Sequence, residues 1–191
     1  RDTLANGVFK GEYLPVLTVL PPDIPGNNPG AALPVGVDGA KALLADNGID
    51  ASSIELELFF QNSSPHNTVA QYVQSQWQDG IGIKVKLTPI EPDAYSDWRA
   101  SRANANFGAY TGSWGSDFAD ASNWFNQNFT TAADHYQNHW SNAEFDTLVD
   151  TAITNTNPEE RNQQYSDAEV ILVSDAAIIP YMRGQAFRAV K

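Results

Sequence analysis

Apolar and polar positions change their period several times along this chain, and each change marks an element. Residues 54–60 set Ile54, Leu56 and Leu58 against Glu55 and Glu57, then turn wholly apolar at Phe59 and Phe60. That pattern predicts a strand entering a core. Residues 83–87 alternate strictly, with Ile83, Val85 and Leu87 against Lys84 and Lys86, and predict a second strand. A third strand is expected over residues 107–114. Between the strands the period lengthens to that of a helix. Asp38 can cap a helix carrying Ala40, Leu43 and Leu44, and Gly48 suits its C-terminal end. Ser64 and Pro65 read as an N-cap followed by a first-turn proline, ahead of Val69, Val73 and Trp77 on one face and a stop near Gly80. Residues 92–103 read as a helix with Tyr95 and Trp98 on one side.

The second half is helical after an irregular stretch. Residues 115–140 are rich in Asn, Ser and aromatics and are read as a long loop, the kind of segment that often carries function. Ser141 and Glu144 form a capping box, followed by Phe145, Leu148, Val149 and Ala152 at helical spacing. Asn157, Pro158, Glu159 and Glu160 start another helix, whose face carries Tyr165, Ala168 and Leu172. Residues 178–182 predict a last short strand, at an edge because Pro180 cannot donate a ladder bond. Residues 1–37 hold Pro15, Pro21, Pro22, Pro25, Pro29 and Pro34 with Gly26 and Gly30, and read as an extended arm or linker. Residues 38–191 then form one lobe, with the order β-α-β-α-β, loop, α-α, β. Alternating strands and helices imply an α/β fold, a sheet flanked by helices, with ligands beyond the strand C-termini.

Composition narrows the partners. The chain has 191 residues and 42% hydrophobic content, enough for a packed core. No apolar run approaches the roughly 20 residues of a membrane span. No signal peptide is read, and the abrupt ends suggest a piece of something longer. A net charge of −12 argues against nucleic acid and against an anionic membrane surface. It suits cationic or zwitterionic ligands, and equally suits plain solubility. The absence of cysteine removes disulfides, thiolate metal sites and Cys nucleophiles.

The candidate chemistry is concentrated in residues 112–120. Gly112, Ser113, Trp114 and Gly115 lead into Asp117 and Asp120. Glycines let another molecule approach the backbone, Trp114 offers a flat apolar wall, and Asp117 a fixed negative charge. The set suits an extended ligand with a cationic end. It holds no nucleophile–base pair and no phosphate-cradling loop, so a binding site is read here and not an enzyme. Asp117 is equally a turn or capping residue by type, and Trp114 a core residue. Asp120 is read as an N-cap or Asx-turn acid. Trp77 and Trp98 are read as core. His135 and His139 with Asp134 are four apart without a third strong ligand, so no metal is expected, and no cofactor. A glycosidase using Asp117 and Asp120 is the enzymatic alternative. Acids three apart on one segment seldom flank a scissile bond from opposite faces.

Taken in order, several pieces resemble one family. They are residues 42–48 (Ala42 to Gly48), residues 76–85 with Trp77 and Gly80, residues 112–120 with Trp114 and Asp117, and residues 140–146 with Trp140 and Phe145. Glu160, Arg161, Tyr165, Ala168, Glu169, Ile179, Pro180 and Tyr181 complete the set. The chain resembles the C-terminal lobe of the extracellular oligopeptide-binding proteins of ABC importers, the bacterial solute-binding proteins of family 5, with the N-terminal lobe absent. The resemblance implies one lobe of a class II periplasmic-binding-protein-like fold that closes with a second lobe on an extended peptide, paired through its backbone. It implies that Asp117 takes the peptide ammonium, with Ser113, Trp114 and Gly115 flanking the ligand and His66 and Arg102 near a carboxylate end. Where some relatives carry an Arg three residues before the Trp, this chain has Thr111, a departure that bears on ligand length. The implied partners are short peptides and, through the full-length protein, the permease and ATPase subunits of the importer, with the binding protein monomeric. The implied location is the periplasm or the outer face of the membrane by a lipid anchor. An oligosaccharide or a metal chelate in the same fold remains the alternative ligand.

Overall fold

The computed structural model describes residues 1–33, 36–101, 108–133, 135, 136 and 138–185. It divides into two compact units, one of Arg1–Leu33 with Trp114–Lys191 and one of Pro34–Ser113. Residues 1–33 of the expected arm therefore belong to a packed unit. A π-helical turn at Thr3–Val8 buries Leu4 and Ala5, and Leu20 is fully buried further on. Strand β1, Tyr13–Pro15, pairs antiparallel with a strand near the other end of the chain. The prolines do prevent long elements, as expected. They do not prevent packing, because the apolar residues between them still reach a core.

The unit of Pro34–Ser113 is built on a parallel sheet. Helix α1, Val37–Asp46, has Gly36 at its N-cap position and Asp38 in its first turn, two residues past the capping position expected of Asp38. Strand β2 is Glu55–Gln61, and Leu58, Phe59 and Phe60 are all buried, as the run of apolar residues demands. Helix α2, Ser64–Ser75, starts at an N-cap on Ser63 and continues through a π-helical turn to Gly82, which caps the end in the left-handed conformation at φ 94°. Strand β3, Lys84–Ile90, and the two-residue strand β4, Ala109–Tyr110, flank β2 in the order β3-β2-β4, both parallel to it. Helix α3, Tyr95–Ala100, follows a short 3₁₀ turn. The third strand is thus shorter than expected, and Phe107 and the end of the expected helix lie outside the described residues. On one face of the sheet Leu58, Phe60 and Val85 form a core with Ala70 of α2, with Leu56, Val73, Trp77 and Leu87 packed against it. On the other face Phe59 meets Trp98, which stacks on Tyr95 at 5.6 Å. Trp77 and Trp98 both pack as the helix spacing implied.

The other unit is a helical layer carrying the small β1 ribbon. The stretch read as loop contains helix α4, Ala121–Asn128. Its apolar positions, Ala121, Phe125 and Phe129, recur every fourth residue, but Asn and Gln between them hide the period. Helix α5, Ala143–Thr154, starts at Asn142, whose side chain accepts from the Glu144 and Phe145 amides. Helix α6, Pro158–Ser174, starts at Asn157, capped as expected. Phe125, Phe145 and Tyr165, all with no exposed surface, meet with ring centroids 5.8 and 6.0 Å apart about Phe125. Each such ring contributes about 1.5–3 kcal/mol by burial. The last strand, β5, is Met182–Gly184, a few residues beyond the expected position, and is the partner of β1.

Candidate functional site

Parallel strands deliver their C-terminal ends to one edge of the β3-β2-β4 sheet, where loops can meet a ligand. In the unit of Pro34–Ser113 that edge is formed by the turn after β2 and by the exit from β4. The Thr111 amide donates to the Phe59 carbonyl at 3.0 Å and continues the pairing one residue past β4. The Tyr95 hydroxyl donates to the Thr111 carbonyl at 2.5 Å. Both hold the chain where it leaves the sheet, and Ser113 follows, exposed. His66 lies in the first turn of α2, just after β2, and is half-buried. Burial pushes its imidazole pKa down, so the ring is held towards its neutral form and offers an N–H in place of a full charge. Arg102 lies outside the described residues.

Trp114, Gly115 and Asp117 belong to the other unit. Trp114 is half-buried, with the His135 ring edge-on at 5.0 Å. Gly115 needs no special backbone conformation, and a Cβ added there meets nothing within 4 Å. The space beside it is open, as a close approach by a ligand requires. Asp117 is exposed. Its place is set by a residue that the sequence reading passed over. Asn123, in the first turn of α4 and fully buried, receives the Asp117 amide on Oδ1 at 3.0 Å and the Trp114 indole N–H on the same oxygen at 3.3 Å. The Asn123 amide nitrogen donates to Gln127 Oε1 at 3.1 Å and comes within 3.5 Å of Asp117 Oδ2. The reading of Asp120 as an N-cap was the available signal, since a cap there starts a helix at Ala121 and places Asn123 in its first turn.

Asp120 behaves as the structural reading expects. Its carboxylate accepts from the Ser122 amide at 3.0 Å and hydroxyl at 2.7 Å, and so caps α4. It also accepts from Arg161 at 2.7 Å. The Arg161 hydrogen bond, with help from Ser122, holds the carboxyl pKa down at about 2 against a smaller opposing effect of burial. His139 adopts a left-handed backbone at φ 57° and the His135 ring packs against Trp114 and Tyr136, while Asp134 lies outside the described residues.

Comparison with known proteins adds the family. A family model described as bacterial extracellular solute-binding proteins, family 5 middle, matches residues 1–136. The chain is 33% identical over 189 residues to the probable deoxycholate-binding periplasmic protein YgiS of Escherichia coli (strain K12), covering 94% of this chain and 34% of that protein. It is 29% identical over 153 residues to the periplasmic murein peptide-binding protein MppA of the same strain, covering 80% of this chain and 28% of that protein. The solved structure of the Escherichia coli murein tripeptide binding protein superposes with a TM-score of 0.83 at 25% identity, covering 96% of this chain and 37% of that one. The chain thus spans about a third of the length of the curated relatives it matches.

Proposed function

The chain belongs to the bacterial extracellular solute-binding proteins of family 5, and on that footing we propose that it is part of the substrate-binding component of an ABC importer that captures oligopeptides. In this reading the ligand lies extended, its backbone pairs with protein backbone, and its ammonium meets Asp117. The observation that carries the proposal is the setting of Asp117. Its carboxylate is exposed and free of any cationic partner among the described contacts, while its main chain is fixed by a buried Asn123 beside a half-buried Trp114. An anchored acid next to an aromatic wall is suited to an amine, and a charge-assisted hydrogen bond contributes about 1.5–3 kcal/mol. Ser113 and Gly115 supply small, open positions for the ligand backbone. His66 and Arg102 are proposed for the carboxylate end of the ligand. The permease and ATPase subunits are the proposed partners of the full-length protein, which acts as a monomer in the periplasm or on a lipid anchor.

Two alternatives are weighed by the same geometry. Glycoside hydrolysis through Asp117 and Asp120 needs one carboxyl that holds a proton near neutral pH. Asp120, salt-bridged and capping α4 with a pKa of about 2, is poorly suited to that role. A non-peptide solute is favoured by one observation, the relative named for deoxycholate. A carboxylated amphiphile of that kind would be repelled by Asp117 and would rely on Trp114 and on Phe118, which is 50% exposed.

Mass spectrometry of small molecules released on denaturing the purified full-length protein tests the proposal. A set of short mixed-sequence peptides supports it. A steroid acid, a uniform oligosaccharide or a metal chelate rejects it. In the peptide case Asp117→Ala is expected to weaken binding about tenfold or more, the loss of one charge-assisted contact. Unchanged affinity would remove the anchor role from Asp117.

A further inference from the structure

Trp114 and Asp117 are three residues apart on an irregular segment, and neither is held in place by regular secondary structure. A single buried side chain fixes both. Asn123 Oδ1 takes two donors, the Trp114 indole N–H and the Asp117 amide. Two N–H groups converging on one atom identify that atom as the oxygen, and so fix the orientation of the amide. The amide nitrogen is directed at Gln127 Oε1 and Asp117 Oδ2. All the hydrogen-bonding capacity of the side chain is therefore committed, as a fully buried amide requires. The main chain of Asn123 is held too, donating to the Asp120 carbonyl at 3.0 Å within the cap of α4. Below this turn lies the Phe125 core, and to one side the Asp120–Arg161 ion pair. Of the two groups it holds, Asp117 is exposed and Trp114 is half-buried.

We infer that Asn123 is a positioning residue for ligand binding, setting the aromatic wall and the ammonium-binding carboxylate in register with one another. The inference rests on the amine reading of Asp117 and deepens it. Because one oxygen holds both the Trp114 indole and the Asp117 main chain, the spacing of ring and acid is set by the protein and not by the ligand. Preorganisation of this kind raises affinity by removing an ordering cost at the moment of binding. It also assigns a specific consequence to Asn123. Its loss lowers discrimination in favour of a free amine, beyond any general effect on stability.

The test compares trialanine with N-acetyl-trialanine, by calorimetric titration, on the full-length protein. Wild type is expected to prefer the free amine by about tenfold or more, the range of one charge-assisted bond. Asn123→Leu, which keeps the volume and removes the acceptor, is expected to cut that preference to about twofold. In the ligand-free protein it is also expected to shift the Trp114 indole N–H resonance, a signal that a general loss of stability does not move. Should Asn123→Leu fail to fold, Asn123→Ser, too short to reach both donors, carries the same comparison. A preference that survives intact in a folded Asn123 variant overturns the positioning role alone. A wild type without any preference overturns the amine reading itself, and this inference with it.

Discussion

Arg161 of α6 donates to Asp120 at the start of α4 across 2.7 Å, joining two helix beginnings through one ion pair. The guanidinium makes two further contacts. Its Nε donates to the Ala152 carbonyl near the end of α5 at 3.1 Å, and its plane lies over the Tyr165 ring at 4.9 Å. One side chain thus ties α4, α5 and α6 together. The Asp120 pKa is depressed from the ordinary carboxylate range to about 2. A group depressed by folding adds stability that is present above its unfolded value and lost as pH falls through its folded value. The contribution is therefore present above about pH 4 and lost towards pH 2. With the side chain a third exposed, screening reduces it to about 1–2 kcal/mol. Thermal unfolding between pH 6 and 2 is expected to show that loss in wild type and a flatter profile in Asp120→Asn.

Glu169 is expected to show the opposite sign. It has no exposed surface, and its two oxygens accept from the Leu20 amide at 2.8 Å and the Asn28 amide at 2.7 Å. These bonds pin the loop that follows β1 onto α6. Burial raises its pKa, outweighing the backbone N–H groups that favour the charge. A raised folded value means the contribution is full below the ordinary carboxylate range and declines as pH rises through the elevated value. Glu169→Gln aims an NH₂ at one of the two backbone N–H groups, and is expected to destabilise by about 1–3 kcal/mol. Urea unfolding at two pH values checks both the loss and its sign.

Gly108 and Gly115 separate steric need from open space. A Cβ at Gly108 would stand 2.4 Å from the Glu57 carbonyl oxygen and 2.9 Å from its amide nitrogen, both backbone atoms of β2. Gly108→Ala is expected to destabilise by about 1–3 kcal/mol, because the entry to β4 must move away from β2. A melting temperature equal to that of wild type would contradict the close approach.

Gly115→Val is expected to leave stability within about 0.5 kcal/mol, since the added atoms meet open space. Ligand affinity is the sensitive quantity. If peptide backbone passes this position, the side chain blocks it and binding falls several-fold in titration. Unchanged affinity would move the ligand path away from Gly115.

Much of the helical half was legible because capping is local chemistry. Asn157 with Pro158, and the region of Ser141 to Glu144, announce α6 and α5 within a few residues, and the structure places the caps on Asn157 and Asn142. Helix α4 was missed because its polar positions carry Asn and Gln, which in sequence read as loop. Those same residues carry much of its hydrogen bonding, Asn126 to the Val149 carbonyl and Asn128 to the Trp124 carbonyl among them. Glu169 was missed although its spacing placed it among the apolar residues of α6. It lies four residues after Tyr165 and three before Leu172, both fully buried.

By itself the sequence determined the type of most elements between residues 38 and 101 and after residue 140, their helix starts to within a few residues, the alternation of β2 and β3, and which acid and which aromatic ring stand as candidates. Those properties depend on residues within a turn or two of each other, through capping, periodicity and backbone restriction. Tertiary structure decided the rest. It joined β1 to β5 from opposite ends of the chain. It left Asp117 exposed, closed Asp120 onto Arg161, and brought Asn123 under Trp114. Each is a partner choice made by packing, because a buried polar group must find a donor or acceptor wherever the folded chain supplies one. No local pattern names that partner in advance.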